Sequence, residues 1–249
     1  MLSRSSLVAG VIAITGYYGL RLYSSTSLSY TAKIKTTNQV PNGFAQSFAV
    51  SAVNPHRHIT IDDTRSTLVS VSHKLSHEQI LAKFLAGFFN GNVFAPERTA
   101  LRLVRRQLVN FKELADKPIS TQMWATGDID EARLPPLHSI IFGAFRIVDI
   151  KCSNCSEKYV QHSEAKYSYI DIAFGGDDSF IAGVHRFSVS ESEGSASIEG
   201  KRPVTISFNH ISCNPKEDKP LGPDVLQTLH LWYAMLLFRE GIVSVLKAE

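Results

Sequence analysis

The most regular hydrophobic pattern of the chain lies at its C-terminal end, in residues 222–247. Pro223 and Asp224 are typical of a helix start, because the fixed φ of proline suits the first helical position and the aspartate complements the positive end of the helix dipole. Apolar residues then recur at helical spacing on two adjoining faces, with Val225, Leu229, Trp232, Leu236 and Val243 on one and Leu226, Tyr233 and Leu237 on the other. This arc is wider than that of a surface helix, so it predicts a helix of roughly 24 residues packed against the rest of the fold.

Upstream, one strand and two helices are predicted. Residues 67–73 alternate between apolar and polar side chains, as in a half-buried strand. Ser76 and Gln79 then form a capping-box pattern before apolar residues at helical spacing, and this helix is predicted to end at Asn90-Gly91. Pro96 opens a second helix that is predicted to continue to about Phe111.

A second alternating region follows Lys117 and favours an antiparallel sheet. The predicted strands are 119–125, 138–150, 158–174, 179–190 and 203–213, and residues 45–53 form an earlier one. Gly175 to Asp178 predict a hairpin turn between two of them. In strand 158–174 the alternation predicts Ile170, Ile172 and Phe174 on one face, with Tyr169 and Asp171 on the other.

The N-terminal region has the composition of a membrane or targeting segment. Residues 1–61 contain no Asp or Glu, and residues 7–23 are apolar apart from Thr15 and Arg21. This stretch is slightly shorter than the roughly 20 residues of a usual bilayer span. A secretory signal peptide, a mitochondrial presequence and a buried N-terminal helix are the other interpretations.

An uncleaved anchor best explains the basic residues that follow the apolar stretch, Arg21, Lys33 and Lys35. We therefore predict a single-pass N-terminal anchor in a mitochondrial membrane, with another intracellular membrane or the secretory pathway as alternatives. The predicted organisation is a membrane anchor or targeting segment over residues 1–24, a linker over 25–44 and one folded domain over 45–249.

Charge and cysteine content exclude some classes of protein. The net charge is only +3 and the basic residues are scattered, so nucleic acid is not a predicted partner. Three cysteines are an odd number in a long chain, which is unlike the disulfide framework of a small secreted domain and favours a reducing compartment. Cys152 and Cys155 form a CxxC motif, with Cys213 far downstream, for which zinc binding, redox chemistry and ordinary thiols stay open. No metal or cofactor is predicted.

The order of elements resembles the helix-grip architecture of START-like and polyketide-cyclase-like proteins. Residues 67–247 contain one strand, two helices, a run of antiparallel strands and one long helix, although five predicted strands follow the second helix where the family has six. The resemblance implies an α+β fold in which an antiparallel sheet grips a long C-terminal helix, here preceded by an N-terminal membrane anchor helix. It also implies an apolar cavity between sheet and helix, which in this family mostly binds lipids, sterols or other hydrophobic ligands.

We therefore predict a membrane-tethered binding module for a lipid or other hydrophobic small molecule. Its candidate ligand-binding residues are Trp232, Tyr233, Phe145, Phe174 and Tyr169. One alternative is a cyclase- or hydrolase-like enzyme, with Asp171 and either His185 or His210 as a carboxylate–histidine pair in the same cavity. Another is a scaffold or assembly factor of a mitochondrial membrane. The sequence predicts neither the ligand nor the oligomeric state.

Overall fold

The chain folds as an α+β protein with an eight-stranded, mostly antiparallel sheet and a long C-terminal helix. The computed structural model describes residues 17–27, 33–153, 155, 166–192, 200–222 and 224–247, without the side chains of 224–226. The helices are α1 (17–26), α2 (Asn42–Ala45), α3 (Phe48–Val53), α4 (His77–Asn90), α5 (Ala95–Val104) and α6 (Asp224–Leu246). The strands are β1 (Ile34–Thr37), β2 (Thr60–Ser72), β3 (Gln122–Met123), β4 (Ile140–Ile141), β5 (Phe145–Lys151), β6 (Tyr167–Phe174), β7 (Ala182–Glu191) and β8 (Lys201–Cys213).

The sheet runs in the order β1-β2-β8-β7-β6-β5-β4-β3. Every neighbouring pair is antiparallel except β3 and β4, which are parallel. The long central pair, β2 and β8, is in register from Thr60 opposite Cys213 to Ser72 opposite Lys201. Because residues directly opposite each other share a face, this register decides which side chains meet under the helices.

Helices α4 and α6 cover one face of the sheet, called here the inner face. Phe84 of α4 lies edge-on to both Phe187 of β7 and Phe238 of α6, with ring centroids 5.3 and 5.7 Å apart. The predicted capping box at the start of α4 is confirmed, since Ser76 accepts the N–H of Gln79 and Gln79 accepts that of Ser76. The sheet, α4 and α6 therefore share one aromatic core.

Glycines permit the close crossing of α4 and α6. A Cβ added to Gly87 would lie 2.5 Å from Cβ of Ser244 and 2.8 Å from Cα of Gly241. Next to Gly241 in α6, Glu240 is buried, and its carboxylate accepts the backbone N–H groups of Asn92 at 2.7 Å and Val93 at 2.8 Å. The two helices are thus joined by backbone contact and by a carboxylate that binds the α4–α5 turn.

The opposite, outer face of the sheet is covered by α2 and α3. The predicted strand over residues 45–53 is wrong, because Ser47 caps a helix there by accepting the N–H of Val50. Small apolar residues at helical spacing, Ala49, Ala52 and Val53, pack in a second buried cluster that includes Val184 of β7. Both faces of the sheet are therefore covered.

Several predicted boundaries also need correction. The strand predicted over 138–150 is split into β4 and β5 by a turn in which Phe142 and Gly143 have φ of 49° and 72°. The second predicted helix ends at Val104, because Arg105 has a left-handed conformation. The strand predicted over 119–125 shortens to β3. Strand β6 begins at Tyr167, and residues 158–165 of the predicted strand lie outside the described residues.

Helix α1 packs on the domain with one side and exposes the other. The Tyr18 hydroxyl donates to the carbonyl of Asn92 at 2.7 Å, and Leu22 contacts the inner core. Tyr17, Leu20 and Tyr23 are exposed. Most of the predicted anchor, residues 1–16, lies outside the described residues, so the anchor stays a prediction.

Within the described part of the chain, one helical stretch is long and apolar enough to cross a membrane. It is Gln227–Leu246 of α6, with a mean hydropathy of 1.3, and 44% of it is buried inside the fold. A core helix meets the same criteria, and the packing of α6 on α4 and the sheet explains its apolar composition.

Candidate functional site

A cleft of about 740 Å³ lies between the inner face of the sheet and the first half of α6. Its wall is mainly aromatic and aliphatic, and includes Phe88, Phe94, Leu101, Phe145, Phe174, Phe208, Tyr233 and Leu237. Polar groups are few, and one of them is Glu97 of α5, which accepts the Tyr233 hydroxyl at 2.9 Å. Burial raises the pKa of Glu97, while this hydrogen bond lowers it by less.

Three of the five predicted ligand-binding residues meet in this cleft, namely Phe145, Phe174 and Tyr233. Trp232 does not line it, because its side chain points outward and is 73% exposed. Tyr169 does not line it either, because it lies on the outer face and donates to Asp149 at 2.9 Å. The alternation of strand β6 already predicts opposite faces for Tyr169 and Phe174.

A second, more polar cleft of about 450 Å³ adjoins the first. The linings of the two clefts share Phe180, Ile181 and His230. His210 and Ser212 of β8 also line the second cleft, beside the N-terminal part of α6. The two clefts together form one cavity, which is apolar along its aromatic wall and rich in histidine at the other end.

Buried histidines from two strands are joined in a hydrogen-bonded chain at this end. His185 of β7 and His210 of β8 are opposite each other in the sheet, and their Nδ1 atoms are 3.0 Å apart. The Nε2 atom of His210 is 3.0 Å from the hydroxyl of Ser212. His230 of α6 lies against His210, with ring centroids 4.8 Å apart. Three imidazoles from three elements thus converge.

Strand β2 contributes an ion pair that lies beside the histidines. Asp63 is opposite His210 in the sheet register, and its carboxylate accepts a hydrogen bond from Arg65. Arg65 also donates to the carbonyl of Leu231 at 3.0 Å and is 2% exposed, so the pair is inside the fold beneath α6. Burial raises the pKa of Asp63 and lowers that of Arg65, and the attraction between them opposes both shifts.

No protein-family model, curated protein or solved structure gives a match to this chain.

The histidines are held in the neutral form. Burial, with smaller contributions from His230 and Arg65, lowers the pKa of His185 to about 3. Burial also lowers the pKa of His210 well below its usual value, and that of His230 to a smaller extent. The end of the cleft therefore offers uncharged N–H donors and nitrogen acceptors at neutral pH.

We expect these neutral histidines to make the fold sensitive to mild acid. Between pH 7 and about pH 5 the unfolded chain takes up a proton at the position of His185 while the folded chain does not, so stability falls with pH. The expected loss is about 2 kcal/mol for this one residue. Urea titrations of the wild type and His185→Gln should show a shallower pH slope in the variant.

Asp171 makes an opposing contribution to the pH dependence of stability, which cancels when the wild type is compared with His185→Gln. Burial raises the pKa of Asp171 to about 6, although its hydrogen bonds with Arg186 lower it, so this group adds stability as the pH falls below about 6. It is present in both proteins and leaves their difference unchanged. Equal pH slopes in the two proteins would contradict the burial of a neutral His185.

The predicted pairing of Asp171 with His185 or His210 is wrong. Asp171 is opposite Arg186 on β7, on the outer face, whereas both histidines are on the inner face. Its two carboxylate oxygens accept from Nε and Nη2 of Arg186, each at 2.7 Å. The carboxylate that does lie opposite His210 is Asp63, which precedes the predicted strand 67–73 and was therefore not included in it.

The cysteines do not form a metal site in the structure. Cys152 and Cys155 are joined in a disulfide, which differs from the free thiols expected of the reducing compartment that the cysteine content favours. Cys213 is a buried free thiol at the other end of the sheet from the disulfide. It is opposite Ala182 at the start of β7, whereas β5, which ends just before Cys152, ends at the level of Ser188 of β7. That is about 20 Å away along β8. Among the described residues, no group of three or more His, Cys, Asp or Glu is placed to hold a metal ion.

Proposed function

We propose that the protein is a membrane-tethered binding module for a lipid or other hydrophobic small molecule. The observation that supports it most is the cleft of about 740 Å³ with its aromatic wall beneath α6. Its volume falls in the usual range of ligand pockets, about 300–1,000 Å³, and such pockets combine apolar walls with few polar groups. The ligand would lie between the sheet and α6.

The helix-grip resemblance remains part of this proposal. The strand β2, helices α4 and α5, the strands β3 to β8 and the helix α6 follow in the order expected for START-like proteins. Six strands follow α5, the number that the family pattern contains, where the sequence alone indicated five. This agreement in element order supports a START-like fold and, by analogy, a hydrophobic ligand.

The tether is proposed to be the N-terminal segment, in a mitochondrial membrane. The acid-free composition of residues 1–61 supports it, together with the exposed apolar side of α1. Tyr17, Leu20 and Tyr23 recur every third residue and so lie along one side of that helix, away from Tyr18 and Leu22. Aromatic residues of this kind are common where a helix meets the membrane–water interface.

We propose binding rather than turnover. The enzyme alternative depended on Asp171 as a partner for histidine, and Asp171 is bonded to Arg186 on the other face of the sheet. Asp63, the carboxylate nearest the histidines in the register, is occupied by Arg65. Neither arrangement leaves a carboxylate free to orient an imidazole as a general base.

Photolabelling in a bilayer tests the proposal with the full chain. The protein is reconstituted in phosphatidylcholine vesicles that contain octadecanol with a diazirine at the chain end, and cross-linked peptides are identified by mass spectrometry. We expect the protein to float with the vesicles and to carry adducts on the cleft wall, at Phe145, Phe174 or Leu237.

A filling variant and a matched control sharpen this test. Ala234 is buried against the cleft, so Ala234→Phe should occupy part of its volume and lower the adduct yield at the wall about tenfold. Trp232→Phe, two residues away but exposed and outside the lining, should leave the yield unchanged. Adducts confined to residues 1–23 or to Trp232 would overturn the proposal and favour a scaffold that only contacts the membrane.

A further inference from the structure

The histidine-rich end of the cavity has a specific hydrogen-bonding requirement. His185 and His210 face each other through their Nδ1 atoms at 3.0 Å, and such a contact is a hydrogen bond only if one nitrogen carries a proton and the other does not. At least one ring is therefore neutral on geometric grounds. The second nitrogen of His210 is 3.0 Å from the hydroxyl of Ser212, so both ring nitrogens of His210 have partners.

The charged residues on the inner face beside the histidines form an ion pair with each other. They are Arg65 and Asp63 of β2, and the second terminal nitrogen of Arg65 donates to the carbonyl of Leu231, while its Nε has no hydrogen-bond partner among the described residues. Asp62 also borders the second cleft, but it is opposite Ile211 in the register, so its side chain belongs to the outer face. A charged ligand group would have to lose its hydration here without an unpaired opposite charge to bind, which is costly.

Among the described residues, the buried polar atoms near this cluster without a hydrogen-bond partner are Nε of Arg65, Oδ1 of Asp62 on the outer face and Nε2 of His230. Of these three residues, only His230 lines both clefts, so this residue lies where the aromatic cleft meets the polar one. A buried polar atom without a partner is costly, and a ligand group that bonds to it would remove that cost.

We propose that the cavity selects an uncharged hydroxyl-bearing head group on an otherwise apolar ligand, with Nε2 of His230 as its direct hydrogen-bonding partner. A hydroxyl suits either tautomer of His230, because it can both donate and accept a hydrogen bond. The apolar part of the ligand would occupy the wall of Phe145, Phe174 and Tyr233. This inference rests on the proposed function, because it assigns the head group of the ligand in the same cavity.

Burial is consistent with this selection. It lowers the pKa of His230, and the nearby positive charge of Arg65 lowers it further while Asp63 opposes the shift. The groups that surround His230 are His210 on β8, with His185 behind it on β7, and the ion pair on β2. None of them provides a net charge to the head group.

The test compares three photoreactive probes with the same chain and diazirine position. They are octadecanol, octadecyl sulfate and octadecyltrimethylammonium, each at the same low fraction in phosphatidylcholine vesicles that contain the full chain. We expect cleft-wall adducts from the alcohol to exceed those from either charged probe by about tenfold or more, because the charged heads must be desolvated without a counter-charge.

Substitution of His230 tests the assigned atom. His230→Phe keeps a ring of similar shape but removes Nε2, so the alcohol yield should fall about tenfold and the preference over the charged probes should shrink. His56→Phe, which replaces an exposed histidine in the loop before β2, should change neither. The wild-type comparison does not depend on the folding of any variant.

The outcomes separate the two proposals. Equal labelling of the cleft wall by all three probes would overturn the head-group inference and leave the binding proposal standing. Stronger labelling by the cationic probe would overturn it as well, and would indicate that Asp62 or Asp63 binds the head. Absence of cleft-wall adducts with every probe would remove both proposals.

Discussion

Replacing Arg186 with methionine is expected to destabilise the protein by about 3–5 kcal/mol, because it leaves a fully buried carboxylate without its partner. Asp171 is 0% exposed and accepts both of its side-chain hydrogen bonds from Arg186. The guanidinium is also held between two rings, 4.6 Å from the centroid of Phe44 and 3.8 Å from that of Tyr169. The measurement is the free energy of unfolding of the full chain from urea titration.

A double variant separates the ion pair from its packing. Asp171→Leu combined with Arg186→Met replaces both charges by apolar side chains, and we expect it to recover most of the lost stability. Lys219→Met breaks an exposed pair with Glu217 and should have little effect. If Arg186→Met alone were tolerated as well as the double variant, the carboxylate would not be an uncompensated buried charge.

Gly87→Ala is expected to be the second most damaging change, at about 2 kcal/mol. The new Cβ would meet Ser244 at 2.5 Å and the backbone of Gly241 at 2.8 Å, and a helix backbone cannot move aside cheaply. Alanine favours the helix by about 1 kcal/mol, so the loss reflects overpacking that exceeds this gain. Urea titration gives the stability, and photolabelling shows whether separation of α6 from α4 alters the cleft.

The matched control is Gly43→Ala in α2. A Cβ on Gly43 would meet nothing within 4 Å, so the substitution should be neutral or slightly stabilising. A similar response of the two variants would mean that α4 and α6 are not in backbone contact in solution.

The sequence predicts those elements whose local signals agree with their final environment. The capping box at Ser76 and the alternation in β7 and β8 are examples, because each pattern is formed by residues that stay neighbours in the fold. Residues 45–53 were predicted incorrectly because small apolar residues fit either period. Their helix is selected by a sheet face that only the assembled fold provides.

The aromatic half of the candidate site was predictable, whereas its polar half was not. Phe145, Phe174 and Tyr233 follow from the patterns of β5, β6 and α6. The cluster of His185, His210 and His230 depends on strand register and on the position of α6, neither of which is encoded locally. The period-2 pattern of β8 places His210 and Ser212 on one face, which was the one available signal.

The α4–α5 turn has a mechanical consequence for the proposed tether. Asn92 is bound on both sides, since its N–H groups donate to Glu240 of α6 and its carbonyl accepts from Tyr18 of α1. A membrane segment that continues into α1 would therefore be coupled to the cavity helix through one residue. The distance of the domain from the bilayer would then be set by these contacts of Asn92 and not by the length of the linker that follows α1. The cavity would therefore keep a constant height and orientation relative to the membrane.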